Sequence, residues 1–335
     1  MTQPVRIAID VASGDYGTGE MVRGVLEARG IWGDAFAPVL CGDRAAIERA
    51  LAEAGAVHTP DGMRIEHCPD ALQPSDIPSR AWKRRQRAAI VRCIALQREG
   101  AADASVSAGD TGVLLAGSVF ILGRLSGVNR PALAATLPTT SGSPALLLDV
   151  GANVDCRAGH LLSFARLGCE YVSRFRGVAA PRVALLNVGA ERSKGTRLTA
   201  EAHRLIERQC GGYCGYIEGG RVFSGDADVI VCDGFAGNVL LKVCQGMYAL
   251  TETLLAGSPQ VLETVKSRMA VLNSESYGAV PFLGVRGVVL KAHGNSSARA
   301  IASAVGTTIS AAQRGVIPQE GAGGIMKGLR HAHGR

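Results

Sequence analysis

Residues 182–209 read RVALLNVGAERSKGTRLTAEAHRLIERQ. The first seven form an apolar run with no polar alternation, the pattern of a strand buried on both faces. The last twelve, from Leu198, carry helical spacing. Between them lie Asn187, Gly189, Lys194, Gly195 and Thr196, in a strand-to-helix turn. Such turns are where α/β proteins hold phosphates. The order differs from G-x-x-x-x-G-K-[ST], so Lys194 is an anion-ligand candidate outside the P-loop motif.

Working outward, the same unit recurs. VRIAID, PVLCGD, MRIEH, DASVSA, ALAATLP, PALLLDV, DVIVCD and GVVLKAH read as further strands. GEMVRGVLEARG, RAAIERALAEAG and SSARAIASAVGTTISAAQ read as helices between or after them. The alternation predicts a doubly wound α/β fold: a mostly parallel sheet with helices on both faces, three-layered and Rossmann-like. No Pro- or Ser-rich linker and no repeat interrupts it, so residues 1–335 read as one domain. A helical projection is expected near residues 237–273, where two helical patterns follow each other with no strand between. The second places Val261, Leu262, Val265, Met269 and Leu272 on one stripe. That stripe suits packing on a neighbouring helix or subunit, or contact with a membrane.

The 335 residues are 47% hydrophobic and 4% aromatic, enough apolar chain for a large core. The net charge of +7 suits anionic ligands, anionic lipid or an acidic partner. No aromatic–basic stacking motif accompanies it, so nucleic acid is not an expected partner. Nine scattered cysteines fit reduced thiols in a cytoplasmic protein. Cys210 and Cys214 form C-x-x-x-C without a second pair, so no metal is expected. The opening MTQPVRIAID enters a strand at once, unlike a signal peptide, and no run is long and apolar enough to cross a bilayer.

In doubly wound sheets, ligands gather beyond the carboxyl ends of the strands. Small and polar residues concentrate at those ends. IDVASGDYG supplies Asp10, Gly14 and Asp15; SVSAGDTG supplies Ser107, Gly109, Asp110 and Thr111. LLDVGANVDC supplies Asp149, Gly151, Asn153 and Asp155; VCDGFAGNVLLK supplies Asp233, Gly234, Gly237 and Asn238; LKAHGNSS supplies Lys291, His293 and Gly294. A lone Asp after a strand ordinarily caps the next helix, and a lone Lys is ordinarily solvated. Six such turns together suggest a site for an anion and a polar substrate. The dinucleotide fingerprint, the G-x-S-x-G elbow and H-E-x-x-H are missing, and Cys232 reads as core rather than nucleophile.

The ordered set IAIDVASGDYG, ADASVSAGDTG, RPALAATLP, LLDVGANVDC, LLNVGAERSKG, DVIVCDGFAGNVLLK, the turn PFLGVRG and GVVLKAHG resembles the phosphate acyltransferase (PlsX) family, from about Ile7 to Ala311. The resemblance implies acyl transfer from acyl-acyl carrier protein to inorganic phosphate, giving acyl phosphate for phospholipid synthesis. It also implies a cytoplasmic homodimer able to sit on an anionic membrane surface, with no cofactor. Phosphate is already an anion at neutral pH, so positioning and oxyanion stabilisation suffice. On this reading Lys194 and Lys291 hold phosphate charge, and His293 and Asn238 polarise the thioester or orient the attack. Asp233 and Asp155 fix those groups or cap helices. Gly14, Gly109 and Gly189 offer loop amides, with Asp10, Asp15, Ser107, Asp110, Thr111, Asn153, Asn187 and Gly195 lining the substrate.

The chain departs from the family pattern in places. Ser13 stands where a glycine is usual, Asp110 where an Asn is usual, Ala88-Ala89 where two serines are usual, and Ala292 and Asn295 in the last loop. Ser13 raises the question of a backbone that needs positive φ. An ionised Asp110 about 4 Å from phosphate would cost about 4 kcal/mol at an effective dielectric near ~20. The alternatives are a diverged relative with a coenzyme A thioester or another acceptor, a decarboxylating dehydrogenase on a similar sheet, or a non-catalytic scaffold binding carrier protein or membrane.

Overall fold

The apolar runs form strands, and most pair in parallel. In the computed structural model, which describes residues 3–56, 58–73 and 75–314, the chain begins with β1 (Val5–Asp10), α1 (Gly17–Trp32), β2 (Phe36–Gly42), α2 (Arg44–Glu53) and β3 (Arg64–His67). Next come α3 (Pro78–Arg84), α4 (Ala89–Arg98), β4 (Ala104–Ser107), α5 (Thr111–Gly117), β5 (Ala132–Leu137), β6 (Ala145–Leu148) and α6 (Ala158–Arg176). They are followed by β7 (Val183–Asn187), α7 (Arg197–Gln209), β8 (Tyr213–Glu218), β9 (Val229–Val231), α8 (Gly234–Leu254) and α9 (Pro259–Met269). The last elements are α10 (Ser274–Tyr277), β10 (Ala279–Leu283), β11 (Val288–Ala292) and α11 (Ala298–Gln313).

The contacts divide the chain into two compact units. One holds the residues up to Arg124 and the described residues from Ser274; the other holds Leu125–Asn273. In the first unit the strands run in the order β3-β2-β1-β4-β11-β10. All pair in parallel except β10 with β11. The strand order reverses between β1 and β4, the switch point at which doubly wound sheets bind ligands. Period-2 alternation sorts β1 between two cores. Ile7 and Ile9 pack into the cluster that holds Met21, Val25 and Ile301 from α1 and α11. Ala8 packs with Cys93 and Leu96 of α4. The sheet is thus covered on both faces, which is why β1 lacks polar alternation. Truncating the fully buried Ile9 to Ala would cost about 2–5 kcal/mol.

In the second unit the order is β5-β6-β9-β7-β8. Here β5 runs antiparallel to β6, and the other pairs are parallel. ALAATLP therefore reads as a buried run but not as a parallel strand; both neighbourhoods demand the same apolar residues. Two strands escape the sequence reading. In β8, Gly215 takes φ +100° and the pairing with β7 shifts register, a local break of the kind that disguises a strand. In β10, Pro281 sits mid-strand, and PFLGVRG, expected as a turn, begins inside that strand. Proline normally argues against a strand except near an irregularity or edge.

The expected helical projection is present as α8 and α9 in succession. Among its exposed residues α8 shows Phe235, Val239, Val243, Met247, Leu250 and Leu254, spaced by four or three. On α9 no side chain is buried and Val261 is exposed, while Leu272 just beyond it is buried. The stripe read from the sequence is therefore split: its end enters the core and its start faces outward. The basic stretch WKRRQR, residues 82–87, straddles a helix end: α3 stops at Arg84, and Arg87 lies in the turn before α4. Among the described residues, no helix is long and apolar enough to cross a membrane.

Candidate functional site

The first unit places three of the expected residues at one level of adjacent strands. Asp10 on β1 pairs in register with Ser107 on β4, and Ser107 pairs with Lys291 on β11. All three stand at or near the carboxyl ends. Asp10 is fully buried. Its Oδ2 accepts from Ser107 Oγ at 2.7 Å, and its Oδ1 accepts from the backbone N–H groups of Ala12 and Ser13 at 3.2 and 3.1 Å. Ser107 Oγ in turn accepts from Gly109 N at 3.0 Å. Burial pushes the Asp10 carboxyl up, against the lowering effect of these donors. Asp10 and Ser107 thus tie two loops together at the switch point.

Around this bond the loops close on the β11 turn. Asp15 N donates to Gly294 O at 2.7 Å. Gly14, at φ +129°, makes that approach. Lys291 Nζ donates to the carbonyls of Ala108, at 3.2 Å, and Ala292. His293 Nε2 shares a hydrogen bond with the Tyr277 hydroxyl at 2.8 Å. No sequence motif marks Tyr277: it lies outside every turn motif, on the four-residue α10. Asp110 caps α5, its Oδ1 accepting from Val113 N at 2.8 Å, and Thr111 opens that helix. The Asp110 carboxylate is therefore engaged with a helix N-terminus, which favours negative charge. Ser13 requires no correction of backbone, because among the described residues only glycines have positive φ.

In the second unit, the loop of residues 188–195 is organised from within. Asn187 is buried. Its Nδ2 donates to Gly189 O and Lys194 O at 3.0 and 3.1 Å, and its Oδ1 accepts from Thr199 Oγ1 at 3.2 Å. Gly195 has φ +102°, and a Cβ there would lie 2.2 Å from Asn187 Oδ1. Thr196 caps α7 through Thr199 N at 3.2 Å. The Asn187 amide is thus spent on holding the loop, whereas the Lys194 side chain is exposed.

The turn after β6 shows the same division. The buried Asp149 accepts from Leu133, Ala152 and Asn153 backbone N–H groups at 2.9, 3.0 and 2.7 Å, and from Asn153 Nδ2 at 2.8 Å. Burial raises its carboxyl despite them. Asn153 Nδ2 also donates to Pro131 O, so this amide, expected to line the substrate, holds the turn instead. Asp155 is exposed, and Arg130 donates to its carbonyl at 3.0 Å. Asp233 caps α8, accepting from Phe235 N and Ala236 N at 3.0 and 2.9 Å. One turn into α8, Asn238 Nδ2 donates to Val150 O at 3.1 Å, joining the turns after β6 and β9. Cys232 is buried with its thiol pushed up, a poor nucleophile.

The expected residues therefore sort by task within each unit. Asp10, Ser107, Asn153 and Asn187 shape the loops; Asp110 and Asp233 cap helices. Lys194, Lys291, His293 and Asn238 lie at or just beyond the carboxyl edges, the last three hydrogen-bonded to Ala108 O, the Tyr277 hydroxyl and Val150 O. Cys210 lies with its Sγ 3.9 Å from that of Cys169, and the Cys214 thiol donates a hydrogen bond to Val183 O, so the C-x-x-x-C pair does not converge. Among the described residues no group of three His, Cys, Asp or Glu side chains is placed to hold a metal.

Comparison with known proteins extends this picture. Residues 5–319 match the family model described as "Fatty acid synthesis protein". The chain is 37% identical over 326 residues to a phosphate acyltransferase of Desulforamulus reducens, covering 94% of this chain and 96% of the relative. It is 39% identical over 313 residues to a phosphate acyltransferase of Desulforudis audaxviator, covering 90% of each. Its fold is similar to that of a phosphotransacetylase from Streptococcus pyogenes, with a TM-score of 0.66, 15% identity, and 94% and 95% of the two chains covered. With its turn motifs in family order and this identity along nearly its whole length, the chain belongs to the phosphate acyltransferase (PlsX) family.

Proposed function

We propose that the protein transfers an acyl group from acyl-acyl carrier protein to inorganic phosphate, releasing acyl phosphate for phospholipid synthesis. The observation that carries this reading is the 37–39% identity to phosphate acyltransferases across at least nine tenths of the chain. Attack of a phosphate oxygen on the thioester carbonyl forms the new C–O bond. Collapse of the oxyanion breaks the C–S bond, and the carrier thiolate leaves and takes up a proton. Phosphate brings its own negative charge, so the protein's work is to position it and to donate hydrogen bonds to the oxyanion.

Lys194 and Lys291 are assigned to phosphate charge, and His293 and Asn238 to the thioester carbonyl or the line of attack. The exposed Lys194 ammonium supports its part. For His293, the support is a tyrosine hydroxyl that fixes the ring. Asp10, Gly14, Asp15, Gly109, Asp110, Thr111, Gly189 and Gly195 shape or line the loops that present these groups. The protein acts in the cytoplasm as a homodimer that touches anionic membrane. The apolar stripe of α8 supports such a contact, being too regular to be scattered surface leucine and valine.

The experiment is an incubation of the purified protein with acyl-acyl carrier protein and phosphate, with acyl phosphate trapped as hydroxamate. A parallel reaction uses acyl-coenzyme A. Acyl phosphate from the carrier donor supports the reading; turnover of the coenzyme A donor alone replaces it with the diverged relative.

A further inference from the structure

The basic run WKRRQR, residues 82–87, takes no part in the turns described above. It decorates an aromatic patch in the first unit. The Trp82 ring stacks on Phe120, with centroids 4.9 Å apart and planes at 13°. Trp82 Nε1 donates to Ser79 O at 3.0 Å, which fixes the ring. Phe120 is 55% exposed and Ile77 51%. Around them Arg80, Lys83, Arg84 and Arg87 are exposed. Arg85 alone is committed, its Nε 2.9 Å from Asp76 Oδ2, and it holds the turn. The patch is anchored to a candidate loop: α3 packs on α5 so closely that a Cβ at Gly112 would lie 2.9 Å from Pro78 Cβ. Gly112 is the second residue of the helix that Asp110 caps.

We infer that this face docks the acidic surface of the protein that delivers the acyl thioester. The inference rests on the acyl-transfer reading. Four cations sit beside one rigid aromatic anchor, the arrangement of a charged rim around a hot spot. Guanidinium groups pair carboxylates in a planar, two-pronged geometry that an acidic helix can match. Docking there sets the donor next to the Asp110 turn. A membrane is the poorer fit. The seven-residue α3 is too short to lie along a bilayer with an apolar face, and the patch offers three apolar side chains among four cations.

The test is the triple variant K83E/R84E/R87E, with the conservative K83R/R84K/R87K beside it. The expected result is a KM for acyl-acyl carrier protein raised about tenfold or more, with a flattened salt dependence. Turnover of a carrier-free acyl-pantetheine thioester stays at the wild-type value, and the charge-retaining variant falls between wild type and the glutamate variant, because it keeps the charge but loses two guanidinium forks. Direct binding of acyl carrier protein, read by fluorescence anisotropy, falls in parallel; this arm reports even if no donor is turned over, so it separates failure of docking from failure of the acyl-transfer reading. If the triple variant does not fold, Lys83→Glu and Arg84→Glu are measured singly. Unchanged KM and carrier binding overturns the inference. So does loss of sedimentation with phosphatidylglycerol vesicles while carrier binding holds, which assigns the patch to lipid.

Discussion

Ser107 donates a 2.7 Å hydrogen bond to Asp10 from the facing register position of the neighbouring strand, and both side chains are fully buried. This bond fixes the two turns that flank the switch point of the first unit. Ser107→Ala leaves a buried carboxylate short of a donor and should destabilise the protein by about 1–3 kcal/mol in urea unfolding. A change within about 0.5 kcal/mol would mean that the turns hold without it.

The same carboxyl sets a pH dependence. Burial raises its folded-state pKa above the unfolded value, so the folded protein holds the proton more tightly. Its stability contribution is complete below the unfolded pKa and is lost as pH rises through the folded one. Asp10→Asn removes that slope. Measured against the variant, the wild type should therefore lose stability as pH rises above the ordinary aspartate range; parallel profiles would contradict the assignment.

Gly195→Ala should destabilise the loop that carries Lys194. Its Cβ would stand 2.2 Å from Asn187 Oδ1 at a positive φ. A loss of about 1–3 kcal/mol is expected, together with faster exchange of the Lys194 amide, whose N–H donates to Glu191 O within this loop. Wild-type stability and exchange would show that the loop relaxes freely.

Two departures from the family pattern behave as helix ends. Ala88 is the N-cap of α4 and offers no side-chain acceptor. Ala88→Ser supplies one and should stabilise by about 0.5–1 kcal/mol, provided the hydroxyl fits a site only 2% exposed; a lower unfolding midpoint would show that it does not. Asp110→Asn keeps the cap to Val113 and should change stability by less than about 0.5 kcal/mol. Because it removes a negative charge, it should also lower the KM for phosphate; a raised KM would take Asp110 out of the repulsive role.

The fold was legible wherever burial on two faces forced an unbroken apolar run. VRIAID forms β1 to the residue, and RVALLNV and GVVLKAH differ from β7 and β11 by one residue at each end. Direction was not legible for ALAATLP, since a buried antiparallel strand needs the same side chains. The strands β8 and β10 hid behind Gly215 and Pro281. The helix α6 went unread although its apolar face packs on the sheet.

Within the site, the sequence located the loops but not the division of labour inside them. Asn153 and Asn187 look alike as polar turn residues with substrate-facing amides, yet each has its amide consumed by a backbone carbonyl of its own turn or its neighbour. Tyr277 reaches His293 from sixteen residues away through the packing of α10. Such a pairing has no sequence spacing to betray it.

Lys194→Ala isolates the phosphate assignment, because an exposed lysine can be truncated without loss of fold. The KM for phosphate should rise about 10- to 100-fold, the equivalent of one charge-assisted hydrogen bond, with an unchanged thermal midpoint. A wild-type KM would move phosphate recognition to other groups.

The most direct measurement is phosphate-dependent release of acyl phosphate from acyl-acyl carrier protein by the wild-type chain. Hydroxamate-trappable acyl phosphate should rise with both substrates and vanish when phosphate is omitted. No acyl phosphate from the carrier thioester at saturating phosphate, in a protein shown to be folded, would contradict it.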